Sequence, residues 1–180
     1  MKYTFSGKAI ADIILELPDK IAIDCREYEI RDENNLLAKL YGGNKFTFIK
    51  LPDILIRIDK IRNLFQRDSY LIYDHSKDSV LGSLEFSDSF KECTIAMQDG
   101  SRFDFHKDSL EKVFYKPSTW SKFRHVMTSP SSVIIFSGNV SKTRYFDGTI
   151  EASNQESLFA VVVGIFILEE KARIQNEYSG

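Results

Sequence analysis

Cysteine is scarce in this 180-residue chain. Cys25 and Cys93 stand alone and far apart, so they make neither a disulfide framework nor a zinc site. Two reduced thiols fit a reducing, cytoplasmic setting. An excess of one charge is also missing: 24 Lys and Arg face 26 Asp and Glu, for a net charge of −2. No global field therefore draws the chain to nucleic acid, and none is expected as a partner. No stretch reaches the roughly twenty apolar residues that a membrane-spanning helix needs. The opening, MKYTFSGKAIADIILELPDK, lacks the ordered parts of a secretory signal. Nor is there a G-x-G-x-x-G fingerprint, a P-loop, a G-x-S-x-G elbow or a D-x-D-x-D-G calcium loop. Those absences remove the familiar nucleotide, hydrolase-elbow and calcium readings. No internal repeat, low-complexity tract or long linker divides the chain, so residues 1–180 read as one domain.

What is present is aromatic and alternating. The chain holds 14 Phe and eight Tyr, with 43% hydrophobic and 28% charged residues. That is the composition of a globular protein rich in half-buried strands. Short runs alternate apolar and polar. In YLIYDHSKDSVLGSLEF, two β-rich arms flank a polar turn at His75–Asp78, and Gly82 is a candidate bulge. CTIAMQDGSRFDFHK turns at Asp99-Gly100 and puts Phe103 and Phe105 on one face. YEIRD and LLAKLYG flank the polar turn ENN, in which Asn34-Asn35 can take turn conformations. The segment from Ile54 fits either period. Its β-branched isoleucines favour a strand with Ile54, Ile56 and Ile58 alternating. Residues 9–19 stay open between helix and strand. Turn signals every eight to twelve residues point to an all-β sandwich or barrel.

One segment breaks the pattern. Leu158–Leu168 carries no polar side chain. As a helix its eleven residues reach about 16 Å at 1.5 Å each, too short for a bilayer. A buried strand competes, but the punctuation favours a helix over about 154–175. Ser153 and Glu156 have capping-box spacing, and Glu169 precedes Arg173 at i,i+4. A helix apolar on all sides must be enclosed on all sides. Each side chain left in water forgoes about 1.5–3 kcal/mol. Ten to twelve strands closing round the helix satisfy both partners, since closure also removes exposed edges. A filled barrel whose core arrives last implies high contact order and slow folding.

The run of hairpins, among them RNLFQRDSYLIYDHSKDSVLGSLEF with YLIYD (Tyr70 to Asp74) before its turn, and the terminal helix ESLFAVVVGIFILEE resemble the tubby-like superfamily. That group includes LURP-one-related proteins and phospholipid scramblases. The resemblance covers about Lys2 to Ile174. It implies a closed antiparallel barrel of about twelve strands around a buried hydrophobic C-terminal α-helix. It also tilts function towards binding, because tubby domains hold phosphoinositide headgroups through basic surface residues.

Few residues announce chemistry. Asp74, His75 and Asp78 could orient one another or a metal, but Asp is an ordinary turn residue. His106 and His125 read as surface positions, and the cysteines as inert. No catalytic residue, metal ligand or cofactor is assigned. YKPSTWSKFRH mixes Lys116, Trp120, Lys122 and Arg124, and reads as a strand with one buried face rather than a nucleic-acid surface. RIDKIRNLFQR gathers Lys60, Arg62 and Arg67 beside Phe65. A solvated strand face is the plain reading, and an anionic lipid headgroup is the functional one. The expectation is thus a non-enzymatic cytoplasmic binding module, with peripheral membrane attachment left open. The alternative is a protein–protein interaction scaffold with no lipid ligand.

Overall fold

A computed structural model describes residues 1–10, 25–33, 35–42, 46–61, 69–87, 92–107, 121–140, 146–153 and 158–177. Twelve strands come first: β1 (Lys2–Ile10), β2 (Cys25–Asp32), β3 (Asn35–Gly42), β4 (Phe46–Lys50), β5 (Leu55–Ile61) and β6 (Ser69–Asp74), then β7 (Ser79–Phe86), β8 (Glu92–Met97), β9 (Arg102–Lys107), β10 (Ser121–Thr128), β11 (Val133–Val140) and β12 (Phe146–Ala152). One helix follows, α1 (Leu158–Glu177). Each strand pairs antiparallel with the next, and β1 pairs with β12 to close a barrel. At that seam the Met1 amine donates to the Ala152 carbonyl at 2.8 Å, and the Ala152 amide returns a bond to the Met1 carbonyl at 2.9 Å.

Alternation sorts the side chains. Tyr28 and Ile30 on β2, Ile56 and Ile58 on β5, Leu84 and Phe86 on β7, and Phe103 and Phe105 on β9 are all buried. Between them stand exposed or half-buried polar residues such as Glu85, Asp104 and Arg57. The wall is apolar inwards and polar outwards, the reverse of a lipid-facing barrel. Among the described residues no helix is long and apolar enough to cross a membrane.

The helix fills the barrel. Every residue from Ala160 to Lys171 is buried, with Val162 at 0% and Phe166 at 3% exposure. The enclosed-helix expectation therefore holds. Gly164 explains how the helix fits so closely: a Cβ there would lie 2.1 Å from Cζ of Phe136 on β11. The ring occupies the space that any other side chain would take.

Local expectations fared unevenly. The Ile54 segment is strand from Leu55, and the hairpin turn at His75–Asp78 is present, closed by Asp74 pairing with Ser79. The bulge lies one residue from Gly82: Ile72 pairs with Gly82 and Tyr73 with Val80, so Leu81 is the extra residue. The hairpin of β2 and β3 turns within the expected Glu33–Asn35 segment: Asn35 pairs with Asp32, and Glu33 takes φ 32°. Ser153 serves the sheet. Its hydroxyl accepts from the Val133 amide at 3.0 Å, and its own amide donates to the Val133 carbonyl. Glu156 of the expected capping box lies outside the described residues, as do residues 11–19 of the open segment.

The barrel has two unlike mouths. One carries the start of the helix and the turns after Asp32, Lys50, Asp74, Met97 and Thr128. At the other lie Ile10 and Cys25, Gly42 and Phe46, Ile61 and Ser69, with the end of the helix.

Candidate functional site

The helix becomes charged where it approaches the second mouth. Glu169, Glu170 and Lys171 are consecutive, and all three are buried. Successive helix residues point about 100° apart, so the three side chains must meet three parts of the wall.

Glu169 turns to β2. Arg26 donates through Nη1 to Glu169 Oε1 at 2.5 Å, and the Tyr28 hydroxyl donates to Oε2. Arg26 and Tyr28 alternate with Glu27, so both project inwards from one strand. Gly7 on β1 clears room for the tyrosine, since a Cβ there would lie 2.5 Å from the ring. Glu170 turns to β6, where the Tyr70 hydroxyl donates to Oε1. Arg173 grips the same carboxylate with two nitrogens, Nε to Oε2 at 3.0 Å and Nη2 to Oε1. Lys171 turns to β9, its ammonium 5.6 Å from the centroid of the Phe105 ring.

Burial shifts the titration of Glu169, Tyr28 and Cys93. It pushes the Glu169 carboxyl above the usual carboxylate range, opposed by the Tyr28 hydrogen bond and the Arg26 charge. Burial, reinforced by the Glu169 carboxylate, pushes the Tyr28 hydroxyl far above the tyrosine range, so it is a permanent donor and no base. Burial likewise raises the Cys93 thiol, although Lys171 partly offsets it. That thiol is a poor nucleophile.

Of the basic residues singled out in the sequence, Lys60 is placed. It lies on β5 directly across from Tyr70, on the inward face shared with Ile56 and Ile58. Its ammonium is 5.7 Å from the Tyr70 ring centroid. Arg62 and Arg67 lie outside the described residues, in the connection from Ile61 to Ser69, whose ends flank this mouth. Four cations of the described chain, Arg26, Lys60, Lys171 and Arg173, thus gather at one mouth with two carboxylates, Glu169 and Glu170. Arg26 is paired with Glu169 and Arg173 with Glu170, so the cluster attracts an anion by the charge its four cations carry beyond those two carboxylates.

No protein-family model matches the chain, and neither a curated protein nor a solved structure matches it.

The remaining candidates separate. Asp74 is a turn residue: its carboxylate accepts from the Ser76 amide at 3.0 Å and the Lys77 amide at 3.3 Å, and pairs with the Lys77 ammonium at 2.9 Å. His75 sets its ring edge-on to Phe48 at 5.4 Å, and Asp78 takes φ 48°. His106 is half-buried on β9. His125 is not a surface residue of the expected kind; half-buried, it shares the inward face of β10 with Phe123 and Met127 and stacks on Phe105 at 5.3 Å. Lys122 is exposed and Arg124 half-buried on β10, while Lys116 and Trp120 lie outside the described residues. No group of three His, Cys, Asp or Glu side chains among the described residues could hold a metal.

Arg26, Tyr28 and Glu170 were not among the residues the sequence singled out. The i,i+4 spacing offers Arg173 to Glu169, whereas Arg173 is held by Glu170 at i,i+3 and Glu169 reaches the wall. The available signal was alternation: Arg26 shares its parity with Tyr28 and Ile30, and Lys60 with Ile56 and Ile58.

Proposed function

We propose that this protein is a non-enzymatic, cytoplasmic binding module of the tubby-like kind, which takes anionic lipid headgroups at the basic mouth of its barrel. The observation that carries the reading is the convergence of Arg26, Lys60, Lys171 and Arg173 at that mouth. The closed barrel around a C-terminal helix supports it, being the architecture the tubby-like resemblance implies. A helix that fills the interior also argues for binding at a rim rather than chemistry in a cavity. Lys60, Arg62 and Arg67 are the residues assigned to the headgroup.

The test is cosedimentation with phosphatidylcholine vesicles, with and without phosphoinositide. Binding is expected only to the anionic vesicles and is expected to weaken as salt rises through the Debye regime. Charge reversal at Arg62 and Arg67 should cut it at least about tenfold, two lost charges near the surface being worth about 1 kcal/mol each before reversal. Circular dichroism on each variant confirms that the barrel is intact. Absence of binding to every vesicle, or binding indifferent to those reversals, overturns the reading in favour of a protein-interaction scaffold.

A further inference from the structure

Hydrocarbon burial by itself has little to tell the helix where to sit, and Gly164 against Phe136 supplies a steric stop but no polar one. From Ala160 to Leu168 the helix is apolar or glycine on every side, inside a wall that is apolar on every side. Burial is non-directional. A slip of one residue moves the helix 1.5 Å along its axis and turns it 100°, and leaves as much hydrocarbon buried as before. Something must select one depth and one rotation.

We infer that Glu169, Glu170 and Lys171 form a three-point key that sets the depth and rotation of the helix within the barrel. The spacing of their partners fits. Twelve strands divide the circumference into steps of about 30°. From β2, which holds Glu169, to β6, which holds Glu170, is four steps, about 120°. From β6 to β9, which faces Lys171, is three steps, about 90°. Consecutive helix side chains diverge by about 100°. The wall therefore presents its partners at the angular interval at which an α-helix presents its residues.

Slipped states are penalised by the same residues. One step in one direction turns Leu168 to β2, leaving Arg26 and the Tyr28 hydroxyl against hydrocarbon, and sets Glu170 over the negative face of Phe105. One step in the other turns Lys171 towards Tyr70, where Lys60 already sits. Buried polar groups have this registry role in other helical assemblies. Gly164 against Phe136 adds a steric tooth five residues earlier, and the key supplies the polar part.

The test replaces the key by hydrocarbon of similar length: Arg26→Met, Glu169→Met, Glu170→Met and Lys171→Met, with Tyr28→Phe and Tyr70→Phe. Amide proton–nitrogen spectra are recorded with Gly164 as the reporter. The expected result is a folded barrel in which the Gly164 amide and its helix neighbours split or broaden while the strand amides stay single. One sharp set, with Gly164 still against the Phe136 ring, overturns the inference. A reciprocal exchange, Arg26→Glu with Glu169→Arg, is measured alongside Arg26→Glu alone. The exchange should restore a single Gly164 resonance that the single variant loses; an exchange no better than the single variant also overturns the inference. If the apolar variant does not fold, the exchange decides.

Discussion

Gly164→Ala is the sharpest perturbation this structure offers, because intrinsic propensity and packing predict opposite signs for it. In an exposed helix the change is favourable by about 1 kcal/mol, since alanine restricts the unfolded chain and glycine does not. Here the added methyl would stand 2.1 Å from Cζ, 2.6 Å from Cε1 and 2.9 Å from Cε2 of Phe136. The ring cannot swing away. Phe136 is fully buried, with Phe105 at 5.6 Å between ring centroids. Overpacking costs about 1–3 kcal/mol, and so close an approach to a confined ring belongs at the upper end, about 2–3, so after subtracting the propensity gain of about 1 the net loss should be about 1–2 kcal/mol. For a chain of this length that is a fall in Tm of about 2–8 °C. Equilibrium urea unfolding is the assay, with an unchanged slope showing that stability has moved while the surface exposed on unfolding has not. Phe136→Leu should lose stability alone through the cavity it leaves. Combined with Gly164→Ala it should lose less than the sum, with a coupling of about 1 kcal/mol or more. A Gly164→Ala protein as stable as the parent, or a double variant that is simply additive, would refute the claim that this glycine exists to admit that ring.

Other outcomes follow from the polar groups. Tyr28→Phe and Tyr70→Phe each remove a hydroxyl that donates to a buried carboxylate; each should cost about 1.5–3 kcal/mol in urea unfolding. The Lys77 ammonium and the turn amides hold the Asp74 carboxyl below its usual range. Its contribution should be present above the ordinary Asp value and disappear as pH falls through the depressed one, so Asp74→Asn should flatten the acid limb of stability below about pH 4. Glu169 has the opposite sign: its raised pKa means that stability falls as pH rises from the ordinary Glu value through the folded one, and Glu169→Gln should remove that fall. The buried Cys93 thiol, in a Cys25→Ser background, should resist a thiol reagent at pH 8 until denaturant unfolds the barrel.

Architecture was legible because two local signals agreed. Alternating arms around Asp99-Gly100 and His75–Asp78 demanded strands, and eleven apolar residues at Leu158–Leu168 demanded enclosure. Both are properties of neighbours in sequence. The charged mouth was illegible for the converse reason. Arg26 meets Glu169 across 143 positions, and Tyr70 meets Glu170 across 100. Sequence spacing offered Glu169 only Arg173. Which strand a helix side chain faces depends on barrel order and helix rotation, and neither is encoded in any short window. Parity was the part that could have been read. Lys60 follows Ile56 and Ile58 in strict alternation, and His125 lies between Phe123 and Met127. Both were assigned by their chemistry, as charge or imidazole, when their position in the strand already placed them inwards.

The seam between β1 and β12 carries a consequence for biosynthesis. The strand that completes the cylinder is followed at once by the rod that occupies it, and the two chain regions it joins are 151 positions apart. A ribosome must therefore synthesise the chain through β12 before the closed form can exist. Until then Tyr28, Ile30, Phe105 and Phe136 line an unfinished trough. A product terminated before Leu168 would keep that trough for its whole lifetime, and cellular quality control would meet it as a sticky ribbon rather than as a shorter version of the same molecule.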